Sequence, residues 1–243
     1  LNQRPHRPRR CPPLSDLLSR LGRIPLSWIT DSRCPLCRGA LPPERSPRTA
    51  CPDCRTRLPL PAGALQGNEP LLWWAAGTYD GELRRLLLNL RRRPQETGVG
   101  ALVGVLAEAL PPWRRRPLLV PVPSWKRHGN PLPGLICRQL GCQLGYRSAE
   151  LLERSRPVLG QHHLNRAMRL ANQEGAFRCR RGPRPGEALG RPILIVDDIL
   201  TSGATGRNAA LAMEPLGWQV VGLLCLARTP LARSLPGRSR SMR

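Results

Sequence analysis

Long apolar runs are what this 243-residue chain most clearly lacks. Its two best stretches, residues 101–110 and 220–227, fall well short of the roughly 20 apolar residues that span a bilayer, which excludes a membrane span. Asp16, Arg20 and Arg23 break the only apolar stretch near the start, so no secretory leader is read and a cytoplasmic location is expected. Aromatic residues are also scarce, with one Phe, two Tyr and six Trp. That is too few for an extended platform on which bases stack. Lysine is reduced to Lys126 alone among 39 basic residues, and acids number only 16, for a net charge of +23.

The positive excess is not confined to the ends. Residues 1–24 carry six Arg against one acid, and 228–243 carry five Arg against none. Between them stand 28 basic and 15 acidic residues, so the middle of the chain is still net +13. Such a field favours nucleic acid, phosphorylated ligands or anionic surfaces. A solvated arginine-rich surface, or the codon usage of a G+C-rich genome, would give the same composition.

Cysteines in a reducing compartment point to metal or thiol chemistry rather than disulfides. Cys34 and Cys37 form one Cys-x-x-Cys pair, and Cys51 and Cys54 a second after thirteen residues. Each pair lets two sulfurs reach one ion, and the separation is close to that of a four-thiolate zinc site. The linker between them is polar and Pro-rich, so metal would supply folding free energy that the segment lacks. A thioredoxin-like pair is the rival, but it requires a single Cys-x-x-Cys at a helix start in a βαβ setting. With sulfur at all four positions the site reads as closed and structural. Cys11, Cys137, Cys142, Cys179 and Cys225 lack paired spacing and read as small apolar residues.

The chain divides accordingly. Residues 1–29 read as a basic tail with one short amphipathic helix, 30–60 as the zinc ribbon, 59–70 as a Pro/Gly/Ala linker, and 71–229 as the main α/β domain. A basic, disordered tail is expected over 230–243. Within the main domain, 71–79 resembles an edge strand with Trp73 or Trp74 turned inward. A leucine stripe (Leu83, Leu86, Leu87, Leu90) predicts a helix over 81–90. Arg91 to Arg93 lie at its C-terminal end, where they suit the dipole or could line a polyanion groove. Further helices are expected over 99–110 and 132–144, and strands over 117–123, 176–179 and 219–227.

One stretch organises the rest. Ile193, Leu194, Ile195 and Val196 run without alternation into Asp197 and Asp198, as a strand buried on both faces of a parallel sheet does at its carboxyl edge. Open α/β sheets place ligands there. Thr201, Ser202, Gly203, Ala204 and Thr205 follow as a hydroxyl-rich turn, and helical spacing runs from 207 to 216. Backbone N–H groups and the helix dipole would hold a phosphate, while the carboxylates accept from ribose hydroxyls. Taken alone, an acidic pair and a Thr-Ser-Gly turn are ordinary turn chemistry. In this order they read as a ribose-phosphate site.

After the 117–123 strand, Lys126 and Arg127 offer counter-charges for pyrophosphate, or simply a solvated charged loop. The polar excursion 154–175 is long for a compact domain and reads as a flap over a ligand. It contains Gln161, Arg169 and Asn172, and adjacent His162 and His163, which cannot both face one ion from a regular strand.

The thirteen residues 193–205 closely resemble the phosphoribosyl-pyrophosphate fingerprint of type I phosphoribosyltransferases. From 34 to 229, the order of motifs resembles the ComF/GntX family, whose ComFC-like members are competence proteins. The motifs are the paired Cys-x-x-Cys, Tyr79-Asp-Gly-Glu-Leu-Arg, Val120-Pro-Val-Pro, Gln161, Arg169-x-x-Asn172, Gly175-Ala-Phe and the Asp197–Thr205 string. Where the family reads Arg-Gly-Phe-Asn-Gln after the Pro-Val-Pro strand, this chain has His128, Gly129, Asn130, Pro131 and Leu132. Arg91 to Arg93 replace the family's lysine after the first core helix.

The resemblance implies a zinc ribbon followed by a type I phosphoribosyltransferase-like parallel sheet flanked by helices. It implies Asp197 and Asp198 on ribose, Thr201 to Thr205 on the 5′-phosphate, and Mg²⁺ held chiefly by the ligand's own pyrophosphate and ribose oxygens. The expected ligand is phosphoribosyl pyrophosphate or a ribose 5-phosphate. Single-stranded DNA and a competence helicase are the expected partners. Two function classes follow: an accessory protein for DNA uptake or utilisation that keeps the pocket for binding, and an active phosphoribosyltransferase acting on a nitrogen base or amine.

Overall fold

A computed structural model describes residues 33–42, 49–124, 129–155, 175–185 and 191–230. The expected tail helix at 12–21 and the tail after 230 lie outside them, as do residues 156–174 of the predicted flap. The described strands are β1 (Leu65–Gly67), β2 (Trp73–Thr78), β3 (Leu118–Pro121), β4 (Arg147–Ser148), β5 (Leu152–Arg154), β6 (Phe177–Cys179), β7 (Ile193–Val196), β8 (Ile199–Leu200) and β9 (Val220–Arg228). The main sheet runs β1-β2-β9-β7-β3-β4, with β8 paired to the end of β9. Only β1 is antiparallel to its neighbour. β5 and β6 form a separate antiparallel pair. The helices are α1 (Pro52–Arg57), α2 (Gly81–Arg92), α3 (Glu96–Ala109), α4 (Leu132–Leu144) and α5 (Ala204–Met213). The fold is thus α/β, a mostly parallel sheet flanked by helices.

The unbroken apolar run of β7 has a direct cause. Successive side chains of a strand point to opposite faces, and here both faces are covered. Leu194 and Val196 join Trp74, Leu119 and Leu224 against leucines of α2, α3 and α4. Ile193 and Ile195 join Val120, Leu223 and Cys225 against Ala209, Ala210 and Met213 of α5. A polar residue at any β7 position would be buried without a partner. Helix α2 starts where the Asp80 carboxylate accepts from the Gly81 N–H at 2.7 Å, and it buries Leu83, Leu87 and Leu90.

One expectation changes. The 71–79 strand is not an edge, because β1 forms within the segment read as linker and pairs on its outer side. Three residues, Leu65, Gln66 and Gly67, carry no period that a sequence can reveal. The pairing selects them locally: a Cβ on Gly67 would stand 2.6 Å from the Trp73 indole. The last strand, β9, lies at the centre of the sheet between β2 and β7.

The cysteine segment is seated on the main core. Cys34, Cys51, Cys54, Leu58 and Leu60 are buried in the same cluster as the α2 and α3 leucines. Arg55 binds Glu108 of α3 through both nitrogens, at 2.9 and 2.5 Å, and Arg57 pairs with Glu82 of α2 at 2.8 Å. Among the described residues no helix is long and apolar enough to cross a membrane.

Candidate functional site

Parallel strands bring their carboxyl ends to one edge, and the acidic pair lies there. The Asp197 N–H donates to the Leu224 carbonyl, while the Leu226 and Ala227 N–H groups donate to the Asp198 carbonyl. β9 therefore fixes both acids between itself and β3. Asp198 is 3% exposed and is the one buried charged residue among those described. Its Oδ2 accepts from Arg91 Nε at 2.5 Å and from Asn130 Nδ2 at 2.7 Å. Asp197 Oδ1 accepts the Asp198 N–H at 2.9 Å. Burial, and then the Asp198 charge, push the Asp197 carboxyl up to about 7, against the pull of that N–H, Arg91 and Arg154. Two adjacent acids thus have different environments. Asp198 is compensated by a cation, whereas Asp197 faces the cavity under-compensated.

The cavity has a volume of about 470 Å³, and Asp197, Asp198, Thr201 and Thr205 line it. Thr201 and Thr205 are partly exposed, Ser202 turns inward to accept the Ala204 N–H at 3.4 Å, and Gly203 and Ala204 are buried. Gly203 has φ +80°, and a Cβ there would stand 2.3 Å from Pro70 Cδ. Only glycine fits this approach. The N-cap Gly203 supplies no side-chain cap, and Ser202 takes only the Ala204 N–H, so the rest of the helix N-terminus opens beside Thr201 and Thr205. Arg228 secures the turn from behind, donating to the Thr201 carbonyl and, at 3.2 Å, to the Leu200 carbonyl.

Among the described residues three arginines line the same cavity: Arg84, Arg91 and Arg154. Arg154 Nε donates to the Pro123 carbonyl at 3.0 Å, and its guanidinium lies 4.6 Å over the Phe177 ring. Its Nη1 is buried and, among the described residues, has no hydrogen-bond partner. Burial lowers its pKa, and the Asp197 charge raises it in part.

The four cysteines form a second site. Their sulfurs all lie within 4.8 Å of one another, with Cys34 to Cys54 at 3.8 Å and Cys37 to Cys51 at 3.7 Å. A tetrahedral zinc with Zn–S near 2.3 Å requires S···S edges of about 3.8 Å, so the sulfurs fit a structural zinc ion. Burial pushes Cys51 up. It pushes Cys54 up as well, reinforced by the neighbouring thiols. Cys34, despite its burial, is held down to about 7 by the backbone N–H groups of Cys37, Cys51 and Leu36. A cation among the sulfurs would favour the thiolate at each.

No protein-family model matches the chain. The chain is 31% identical over 230 residues to the DNA utilization protein YhgH of Escherichia coli (strain K12), a match spanning 86% of this chain and 96% of that protein. It is 30% identical over 229 residues to the DNA utilization protein YhgH of Salmonella typhi, with the same coverage of both. The chain belongs to the YhgH family.

In this YhgH-family chain the structure brings together Asp197, Asp198, Thr201 and Thr205 as the sequence predicts. Lys126 and Arg127 lie outside the described residues, although Ser124 and Asn130 on either side of them line the cavity. Gln161, Arg169 and Asn172 also lie outside. Arg91 is paired with Asp198 in the cavity and, like Arg92 and Arg93, stays exposed. Sequence reasoning missed Asn130, Arg154 and Arg228 as contributors. Asn130 stands before a proline and reads as a turn residue. Arg154 and Arg228 are the last residues of their strands and carry no motif.

Proposed function

We propose that this chain serves DNA utilisation, as the name of its relatives states for them, and that it keeps a pocket for phosphoribosyl pyrophosphate or a ribose 5-phosphate. The observation that carries this is the meeting in one cavity of Asp197 and Asp198 with the Thr201–Thr205 turn and the unpaired Nη1 of Arg154. The first-turn N–H groups of α5 after Ala204 and the two threonine hydroxyls take the 5′-phosphate. Asp197 accepts from ribose hydroxyls, and Asp198 holds Arg91 and Asn130 in place. Arg154 and Arg84 meet the pyrophosphate, where fork-shaped donors suit its oxygens. Lys126 and Arg127 add counter-charges for pyrophosphate as the basic loop after the β3 strand, and the flap residues Gln161, Arg169 and Asn172 add to this set by the ComF/GntX resemblance. So do the type I phosphoribosyltransferase core at 71–229, the zinc ribbon at 30–60, Mg²⁺ carried on the ligand's oxygens, and partnership with single-stranded DNA and a competence helicase.

Calorimetry on the full chain with Mg²⁺ tests the pocket. Wild type should bind both phosphoribosyl pyrophosphate and ribose 5-phosphate. Arg154→Gln should weaken the first by about tenfold more than the second, the worth of one charge-assisted hydrogen bond. Equal losses for both ligands, or no binding by wild type, would overturn the assignment.

The donor at Arg154 also favours a second reading, in which the pocket turns over. The ribose C1–O bond to pyrophosphate would break, C1–N would form, the nitrogen's proton would pass to solvent, and the arginines would stabilise the leaving charge. Pyrophosphate release with a panel of bases and amines separates the two. Release above the base-free rate establishes an enzyme, and binding without release leaves the accessory role.

A further inference from the structure

A second cavity, of about 500 Å³, lies at the opposite edge of the sheet and is used by nothing described so far. Because the strands are parallel, Leu118 of β3 stands beside Arg147 of β4 and Ile193 of β7 at their amino ends. Arg147, Arg181, Arg184 and Arg191 converge there with Ser148, and among the described residues no acid lines the cleft. Leu118 lines this cavity and Val122 the other, so the two are separated by about 13 Å of extended chain.

The cleft is built rather than incidental. Arg191 Nε is buried and, among the described residues, has no hydrogen-bond partner. A buried donor in that state is destabilising unless an acceptor completes it. The chain carrying Arg181 is fixed in place: its carbonyl accepts from Trp218 Nε1 at 2.9 Å, and its guanidinium lies 5.8 Å from that ring. Arg181 and Arg191 are half-buried, whereas Arg147 and Arg184 are exposed. Positive charge therefore continues from the cleft onto the surface, as a row of phosphates requires and a single phosphate does not. Among the described residues the remaining lining is Leu118, Ala149 and Pro185, with no aromatic ring on which a base could stack.

Resting on the DNA reading above, we propose that this amino-edge cleft docks the phosphodiester backbone of single-stranded nucleic acid, apart from the carboxyl-edge pocket. Guanidinium forks match phosphate oxygens, and contacts of this kind carry no base preference. The shared chemistry, adjacent phosphates, is also that of free pyrophosphate, so the test has an arm for each.

The experiment is fluorescence anisotropy of a labelled oligo-dT with the full chain across a salt series, comparing wild type with Arg147→Gln/Arg191→Gln. Losing two phosphate contacts should lower the magnitude of the log–log salt slope by about 1.4, at about 0.7 per contact on a single strand, and weaken binding roughly 20-fold at 0.1 M salt. Ribose 5-phosphate affinity should not change. Arg147→Gln alone, on an exposed edge strand, guards against misfolding and should lower the slope by about 0.7, while Arg147→Lys should restore most of it. Unchanged slope and affinity in the double variant would overturn the cleft while leaving DNA binding intact. Tighter binding of inorganic pyrophosphate than of oligo-dT, abolished in the double variant, would assign the cleft to small polyphosphates and likewise overturn the proposal. No oligo-dT binding by wild type at low salt would overturn both the cleft and the DNA reading.

Discussion

Adjacent carboxylates that sequence treats as equivalent should respond to the same substitution with opposite signs. Asp198→Asn removes the charge that compensates Arg91 in a place where the carboxylate is 3% exposed. Breaking a fully buried pair costs about 3–5 kcal/mol. The Arg91 side chain is 37% exposed, and an Asn can still accept from Asn130, so about 2 kcal/mol is expected after discounting for solvent. For a chain of this size that lowers Tm by roughly 4–8 °C.

Asp197→Asn works the other way. The native carboxyl is raised to about 7, whereas in the unfolded chain it titrates near 3.9. The folded state therefore holds the proton that the unfolded state releases, and stability falls as pH rises from about 4 through about 7. Asparagine removes that loss, so the variant should melt above wild type, with a gap that widens from pH 5.5 to pH 8. Thermal melts of both variants at these two pH values decide the matter. If both melt lower by similar amounts, or if the Asp197→Asn gap is independent of pH, the assignment of one compensated and one under-compensated acid is wrong.

Metal analysis should find one zinc per chain. Because Cys51 and Cys54 share a buried cluster with α2 and α3, chelation or Cys34→Ser should raise hydrogen exchange in those helices as well as in 33–60. Protection lost only in 33–60 would show that the two parts are uncoupled. Gly203→Ala forces an L-residue to φ +80° and against Pro70. It should cost about 3 kcal/mol in denaturant midpoint through strain and overpacking and abolish ribose 5-phosphate binding, and an unchanged midpoint would refute the close approach.

The sequence by itself determined what local chemistry determines. The unbroken run of β7, the two acids after it and the small residues beyond were legible because a strand buried on both faces leaves no choice of side chain, and a phosphate turn leaves little. The leucine period of α2 and the spacing of Cys34, Cys37, Cys51 and Cys54 were legible for the same reason: each is a constraint satisfied within a few residues. Tertiary structure alone decided what depends on distant partners. Arg91 reads as one of three equivalent helix-end cations until the fold carries it to Asp198, 107 positions away in the chain. β1 exists only because β2 offers it an edge. Arg154 becomes a cavity donor only because β5 pairs with β6 beside Pro123. Arg147, Arg181, Arg184 and Arg191 are separated in sequence by up to 44 positions; the parallel order of β4, β3 and β7 brings Arg147 and Arg191 to one edge, and the Trp218 bond seats the chain of Arg181 beside them. No short-range pattern encodes such a meeting, because its physical origin is the register of strands far apart in the chain.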